Sequence, residues 1–188
     1  MAKMITEEMM IKADGQRIGG DSDYWVYLTN LKAYNEGVLL GAYLHFPFDR
    51  DDLNQAFNQI YVGSEFIDEF GSPYEEYFIS DYDAPFSIEE YENILSLIEK
   101  FEEIEEYLEY PRELVKIIVE NLNQEFIIHN LYDGSTVEEK LGYALCDGEF
   151  IIIPDNLINY IDYEAIGRDY KYNSFGEFVD GKYYIEFI

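Results

Sequence analysis

The chain has 188 residues, of which 48% are hydrophobic and 18% are aromatic, and its 40 acidic and 12 basic side chains give a formal net charge of −28. A chain of this length forms one domain or two small ones with a real hydrophobic core, and its aromatic content argues against disorder. The few cations exclude direct binding to DNA or RNA, and the excess of acids excludes binding to an anionic membrane surface.

Several other classes of protein are excluded by the sequence. It contains no run of about 18 apolar residues, so no membrane-spanning helix is predicted. Glu7 and Glu8 interrupt the apolar stretch near the start, which is unlike a signal peptide. Cys146 is the single cysteine and cannot form an internal disulfide, which favours a cytoplasmic protein. Phosphate loops, dinucleotide fingerprints, nucleophile elbows and zinc spacings are absent, so we predict no catalytic residue, metal ligand or cofactor. His45 and His129 are interpreted as packed strand residues.

The first part of the chain is predicted to form a small antiparallel sheet with one helix. Residues 1–23 are expected to be an N-terminal extension, because their periodicity is weak and Gly19 and Gly20 interrupt it. Asp49 is expected to cap a helix over 49–60. Strands are expected at three segments: 25–31, 38–48 and 74–80.

The middle of the chain is predicted to be helical. Ser87 to Glu90 has the capping-box pattern, and an apolar stripe at helical spacing runs from Tyr91 to Leu108. Pro111 suits the first turn of a further helix through Leu122.

The last part is predicted to mix helices and strands. A strand is expected at 126–129, and Ser135 or Thr136 is expected to cap a helix through Cys146. Two short helices follow over 154–170, and Asp180-Gly181-Lys182 joins a hairpin. The predicted fold class is α+β, an elongated chain of two or three small α/β units with short antiparallel sheets and an acidic helical middle. The expected domains are the extension 1–23, an N-terminal sheet-plus-helix domain 24–86, the acidic middle 87–124 and a dimerising C-terminal domain 125–188.

The charge is concentrated in one part of the chain. Residues 51–110 hold 18 acidic side chains and one basic side chain, Lys100, whereas residues 1–50 have a net charge of only −2. Glutamates three or four apart on a helix have Cβ atoms about 5–6 Å apart, and B-DNA carries one negative charge per about 1.7 Å of axis. Rows of helical glutamates can therefore approach the charge spacing of a phosphate backbone and enter the basic groove of a DNA-binding enzyme.

Three ordered blocks of sequence can be compared with known families. The block 32–42 (KAYNEGVLLGA) is similar to a K-Y-N-x-G-x-L-x-G-x-W/Y signature, and the block 79–86 (ISDYDAPF) is followed by the acidic SIEEY. The block 159–169 (NYIDYEAIGRD) is similar to Y-x-D-Y-x-A-x-G-R-D. Together they resemble the ArdA antirestriction family over roughly residues 25–188. The first 24 residues lie outside the resemblance, and Tyr43 stands near a position where the family often has tryptophan.

The resemblance implies a function. ArdA proteins are carried by mobile elements, form elongated homodimers of three small α/β domains through the C-terminal region, and mimic bent B-DNA. They occupy the DNA site of type I restriction–modification enzymes, use no cofactor and catalyse nothing. The resemblance therefore predicts a non-enzymatic inhibitor whose partners are a type I enzyme and a second copy of the chain.

Specific residues follow from this hypothesis. Tyr143, Tyr160, Ile161, Tyr163 and Ile166 are expected to contribute to a dimer interface. Ten carboxylates are expected to replace DNA phosphates: Glu65, Asp68, Glu69, Glu75, Glu76, Glu99, Glu102, Glu103, Glu106 and Glu109.

Three alternatives remain open at this point. The target is equally well a CRISPR effector or another defence nuclease, because every duplex-binding groove is basic. A hydrolase with an acidic cleft would instead have one or two carboxyl groups with strongly raised pKa values in a pocket. An acid-rich housekeeping domain would have evenly spread charge, which the concentration of acids in residues 51–110 opposes.

Overall fold

The computed structural model describes residues 2–188, and Met1 lies outside the described residues. The chain forms two compact units that divide between Val119 and Glu120. Both units combine helices with small sheets, so the predicted α+β fold class is confirmed. Within residues 2–188, no helix has both the length and the apolar character needed to cross a membrane.

The first unit begins with short elements and ends with two helices. A 3-10 turn at Glu105–Tyr107 separates those two helices. In chain order the elements are β1 (Lys3–Met4), α1 (Glu7–Ala13), β2 (Gln16–Gly19), β3 (Trp25–Asn30), α2 (Leu31–Asn35), β4 (Gly41–His45), α3 (Arg50–Gln59), β5 (Gly63–Ile67), β6 (Pro73–Tyr74), β7 (Tyr77–Asp83), α4 (Ile94–Glu102) and α5 (Arg112–Glu120).

The main sheet of the first unit has the strand order β2-β4-β3-β7. β3 runs antiparallel to both of its neighbours, and β2 runs parallel to β4. Val26 and Leu28 of β3 pair with Leu44 and Ala42 of β4, and all four are fully buried. Because alternate residues of a strand point to the same face, these four side chains lie on one face of the sheet. A second small sheet has the order β1-β5-β6.

The expected N-terminal extension is instead built into the first unit. β1 pairs with β5, and β2 pairs with β4, while Ile5 and Ile18 are buried. The Asp14 carboxylate accepts hydrogen bonds from the Tyr27 hydroxyl (2.7 Å) and the Gly41 N–H (2.8 Å). Sequence reasoning could not show this because both partner strands lie far along the chain, and pairing with them leaves no local periodicity.

The helix expected to start at the Ser87 capping box begins later. Asn93 is the N-cap, and α4 starts at Ile94. The Glu90 carbonyl accepts a hydrogen bond from the N–H of Ile79 in β7 (2.8 Å), so the residues before α4 are held against the sheet. A tertiary backbone contact has overridden a local helix signal, and the prediction of a helix start at Ser87 was wrong.

α4 is attached to the main sheet by aromatic packing. The Phe46 ring, which follows β4, stacks on the Phe101 ring of α4 with centroids 4.4 Å apart and planes 8° from parallel. Leu97 of α4 and Leu114 and Ile118 of α5 are fully buried. Leu97 and Phe101 therefore face inward, whereas Tyr91, at the start of the apolar stripe, is exposed. Glu99, Glu102 and Glu103 face outward.

The second unit is a three-stranded antiparallel sheet with two helices. Its sheet has the order β8-β10-β9. Its elements are β8 (Phe126–Asn130), α6 (Val137–Asp147), a 3-10 turn (Ile158–Tyr160), α7 (Tyr163–Asn173), β9 (Phe175–Val179) and β10 (Tyr183–Phe187).

Two glycines allow α6 and α7 to touch. A Cβ on Gly142 would lie 1.9 Å from the Tyr163 carbonyl oxygen, and a Cβ on Gly167 would lie 1.8 Å from the Glu138 carbonyl oxygen. Only glycine permits backbones to approach so closely. The two helices cover a core of Leu131, Leu141, Leu145 and Tyr184.

Candidate functional site

Nine of the ten predicted phosphate surrogates are exposed side chains of the first unit. Glu65 lies in β5, three others follow β5 or β6, and the rest lie on α4 and the residues after it. We call this set the acidic surface: Glu65, Glu69, Glu75, Glu76, Glu99, Glu102, Glu103, Glu106 and Glu109.

The α4 part of the acidic surface follows from helical periodicity. Leu97 and Phe101 point inward, whereas Glu99, Glu102 and Glu103 have the three- and four-residue spacing that places side chains on one exposed face. Neighbouring carboxylates on such a face repel one another. The helix remains stable because its opposite face is buried.

Lys100, the one base of residues 51–110, forms no ion pair with the carboxylates of the acidic surface. The Lys100 ammonium is paired with Glu92, which is not part of the acidic surface, and lies 5.7 Å from the Phe86 ring centroid. The other ion pairs of the first unit use Glu8, Glu36, Asp68 and Asp83 as their acids. Within the described part of the chain, Asp68 is thus the only predicted surrogate found in an ion pair.

Asp68 differs from the other nine because it holds a turn together. Its carboxylate accepts hydrogen bonds from the Lys32 ammonium (2.7 Å) and from the N–H groups of Phe70 and Ser72 (both 2.8 Å). The hydrogen bond from Lys32 and those from the backbone lower the pKa of Asp68. The Asp68 carboxylate therefore makes contacts within the fold, whereas the adjacent Glu69 is exposed.

A cluster of three aromatic rings, two of them exposed, lies beside the acidic surface, and the sequence did not reveal it. The Tyr34 ring of α2 contacts the Phe78 ring of β7 (centroids 5.3 Å apart), and Phe78 contacts the Tyr91 ring (6.3 Å). Tyr34 is 55% exposed and Tyr91 is 69% exposed. Tyr34, Phe78 and Tyr91 are called the tyrosine cluster below. They come from three chain segments, so no local pattern could have indicated their proximity.

The five residues expected at a dimer interface have different environments. The Tyr143 and Tyr163 rings stack on each other within the second unit, with centroids 4.0 Å apart. Ile166 packs against the core of that unit, and Ile161 is half-buried. Tyr160 is 84% exposed, so its ring is the one most available to another chain.

The buried histidine of the second unit has a polar partner. His129 Nε2 lies 3.3 Å from a Glu186 carboxylate oxygen, which also accepts a hydrogen bond from the Tyr170 hydroxyl (2.7 Å). Burial and this hydrogen bond raise the pKa of Tyr170 to about 12. Phe150 and Tyr184 also contact the imidazole, so His129 is a packed residue. In residues 2–188, no group of three or more His, Cys, Asp or Glu side chains is arranged to hold a metal ion.

Comparison with known proteins assigns the chain to a family. The sequence model described as Antirestriction protein (ArdA) matches residues 26–185. The chain belongs to the ArdA family. The resemblance found in the sequence is therefore confirmed, and no curated protein matches the chain. The matched ArdA region contains the whole acidic surface and the tyrosine cluster, whereas β1, α1 and β2 precede it.

Proposed function

We propose that this chain is an antirestriction protein that mimics B-form DNA and occupies the DNA-binding groove of a type I restriction–modification enzyme. The acidic surface is the observation that supports this proposal, since its nine carboxylates are exposed and lie outside the described ion pairs of the unit. On this proposal the protein catalyses nothing and acts by excluding DNA.

The free energy of binding would have the same origin as that of DNA binding. A cationic groove that accepts a row of carboxylates releases condensed counterions, as it does when it accepts phosphates. Exposed carboxylates contribute collectively, because each exposed ion pair adds little by itself.

We further propose that the protein acts in the cytoplasm as a homodimer formed through the second unit. The exposed ring of Tyr160 supports this, together with exposed apolar side chains nearby in the sequence, Ile152 and Ile158. Apolar side chains exposed close together in a soluble domain commonly mark a protein interface.

The hydrolase alternative is less well supported. It requires a carboxyl group whose pKa is raised in a pocket. The pKa of Asp68, in contrast, is lowered by its hydrogen bonds. The CRISPR effector alternative differs only in the target and is distinguished by the enzyme used in the assay.

The proposal is tested with a purified type I enzyme, unmodified DNA containing its recognition sites, and increasing amounts of this protein. We expect DNA cleavage to decrease, excess DNA to restore it, and inhibition to weaken steeply as salt is raised. Unchanged cleavage at micromolar protein and low salt would exclude the type I target, and the same assay with a CRISPR effector then tests the alternative.

A further inference from the structure

The tyrosine cluster is held in place by backbone contacts between its three segments. The N–H of Leu31, at the start of α2, donates to the Glu76 carbonyl (3.0 Å), and the N–H of Ile79 donates to the Glu90 carbonyl (2.8 Å). These hydrogen bonds fix α2, β7 and the residues before α4 relative to one another. The two exposed rings are therefore preorganised.

Two acidic residues belong to the segments that hold these rings: the Glu76 carbonyl accepts the hydrogen bond from Leu31 of α2, and Glu90 directly precedes Tyr91. The pKa of Tyr91 is raised mainly by the charge of Glu90. A hydrogen bond between Glu90 and the Tyr91 hydroxyl and the charge of Glu76 act in the same direction. Glu76 and Glu90 are both exposed. A cation that approached the faces of Tyr34 or Tyr91 would meet aromatic rings and negative charge together.

The first unit already uses this combination for its own cations. In each of three cases, a ring and a carboxylate contact the same basic side chain. The cases are Lys32 with Tyr74 and Asp68, Arg112 with Tyr24 and Asp83, and Lys100 with Phe86 and Glu92. The Arg112 guanidinium carbon lies 4.7 Å from the Tyr24 ring centroid, and Arg112 Nη1 lies 2.7 Å from an Asp83 oxygen.

We propose that the tyrosine cluster, with Glu76 and Glu90, binds arginine side chains of the cationic partner. This inference rests on the proposed function, which supplies a basic groove as the partner. Arginine is the favoured occupant because its planar, weakly hydrated guanidinium stacks on aromatic faces, whereas the lysine ammonium is strongly hydrated. A stacked nucleic-acid base is disfavoured, since Glu76 and Glu90 would repel its phosphate.

This site would contribute ring stacking to the free energy of binding, which a phosphate backbone does not provide. Charge pairs at the protein surface weaken as salt shortens the Debye length from about 10 Å at ~0.1 M to about 3 Å at ~1 M. Stacking of a planar guanidinium on a ring also includes apolar contact, which salt does not screen. The inhibitor would therefore retain part of its affinity for an arginine-lined groove under conditions that release DNA.

The test uses the full-length protein, oligoarginine and oligolysine peptides of equal length, and calorimetry at low and high salt. The double variant Tyr34→Ala/Tyr91→Ala is expected to bind oligoarginine about five- to thirtyfold more weakly than the wild type, from two exposed cation–π contacts. The loss for oligolysine is expected to be smaller. The ratio of wild-type to variant affinity for oligoarginine is expected to persist at high salt.

Two control variants separate the rings from other effects. Tyr34→Phe/Tyr91→Phe keeps both rings and is expected to bind oligoarginine nearly as the wild type does. Tyr172→Ala removes a tyrosine that is 83% exposed in the second unit and is expected to change nothing. Circular dichroism verifies that each variant is folded.

Two results would overturn the inference: equal affinity of the wild type and the double alanine variant for oligoarginine, or an equal loss in the phenylalanine variant. Neither result depends on a restriction enzyme. If the wild type inhibits a type I enzyme but shows no ring-dependent arginine binding, the inference fails and the proposed function stands. If it shows ring-dependent arginine binding without inhibition, the proposed function fails and the arginine site stands.

Discussion

Neutralising the acidic surface on α4 and on the residues after it is the most direct perturbation of the proposed mimicry. The variant carries Glu99→Gln, Glu102→Gln, Glu103→Gln, Glu106→Gln and Glu109→Gln. All five side chains are exposed, so the amides fit without a change in packing. Removing charge also relieves repulsion within the segment, and we expect the variant to be at least as stable as the wild type.

The expected size of the effect follows from this exposure. An exposed ion pair changes a binding constant by about 1.4- to 5-fold. Five independent pairs therefore raise the inhibitor's dissociation constant by about fivefold to about three-thousandfold, and each single substitution stays within about fivefold. If each carboxylate acts as a phosphate does, the slope of log affinity against log salt decreases by up to about 4.5.

The assay measures inhibition of DNA cleavage by a type I enzyme across a range of salt concentrations. A matched control removes five exposed carboxylates of the second unit: Asp147→Asn, Asp155→Asn, Glu164→Gln, Asp169→Asn and Glu177→Gln. We expect the control to lose less inhibition. Equal losses would show that net charge, not its placement, decides binding. Abolition of inhibition by one substitution would refute the collective mechanism.

Three further predictions concern stability and assembly. Gly142→Ala would drive α6 away from α7, since its Cβ would lie 1.9 Å from a backbone oxygen. The free energy of unfolding, measured in urea, should decrease by about 1–3 kcal/mol. The control Asp147→Ala, on the same helix, should leave the free energy of unfolding unchanged. Lys32→Met should destabilise the protein at neutral pH. Because the pKa of Asp68 is lowered in the folded state, the stabilisation from its pair with Lys32 is present above the unfolded pKa. The difference from the wild type should therefore become smaller as pH falls through the folded pKa, and a difference that does not change with pH contradicts this. Tyr160→Ser should shift sedimentation toward the monomer, whereas a wild type that is monomeric at all concentrations rules out the dimer.

The elements that the sequence predicts well are those specified by adjacent residues. Asp49 caps α3 and accepts hydrogen bonds from the N–H groups of Asp51 and Asp52. Thr136 caps α6 in the same way. Asp180 and Gly181, with φ of 53° and 62°, form the tight turn of the predicted hairpin. Caps and tight turns depend on contacts between residues a few positions apart, so the sequence pattern indicates them directly.

The elements that the sequence predicts poorly depend on distant partners. The Ser87 capping box is present in the sequence, yet the contact between Glu90 and Ile79 prevents a helix there. β5 was not predicted, and β6 was not separated from the strand predicted at 74–80, because both are short and form one small sheet with β1. In each case the deciding hydrogen bond joins residues that local periodicity does not relate.

The sequence by itself determined the surplus of acidic residues, its concentration in residues 51–110, and membership of the ArdA family. Only the tertiary structure decided how individual side chains are used. In the folded chain Asp68 accepts a hydrogen bond from Lys32 while Glu69 stays exposed. Phe78 contacts both Tyr34 and Tyr91, so these two rings lie close together. The net charge is set by composition and does not depend on the fold. The exposure of a side chain and its distance from others depend on which distant segments the folded backbone brings into contact.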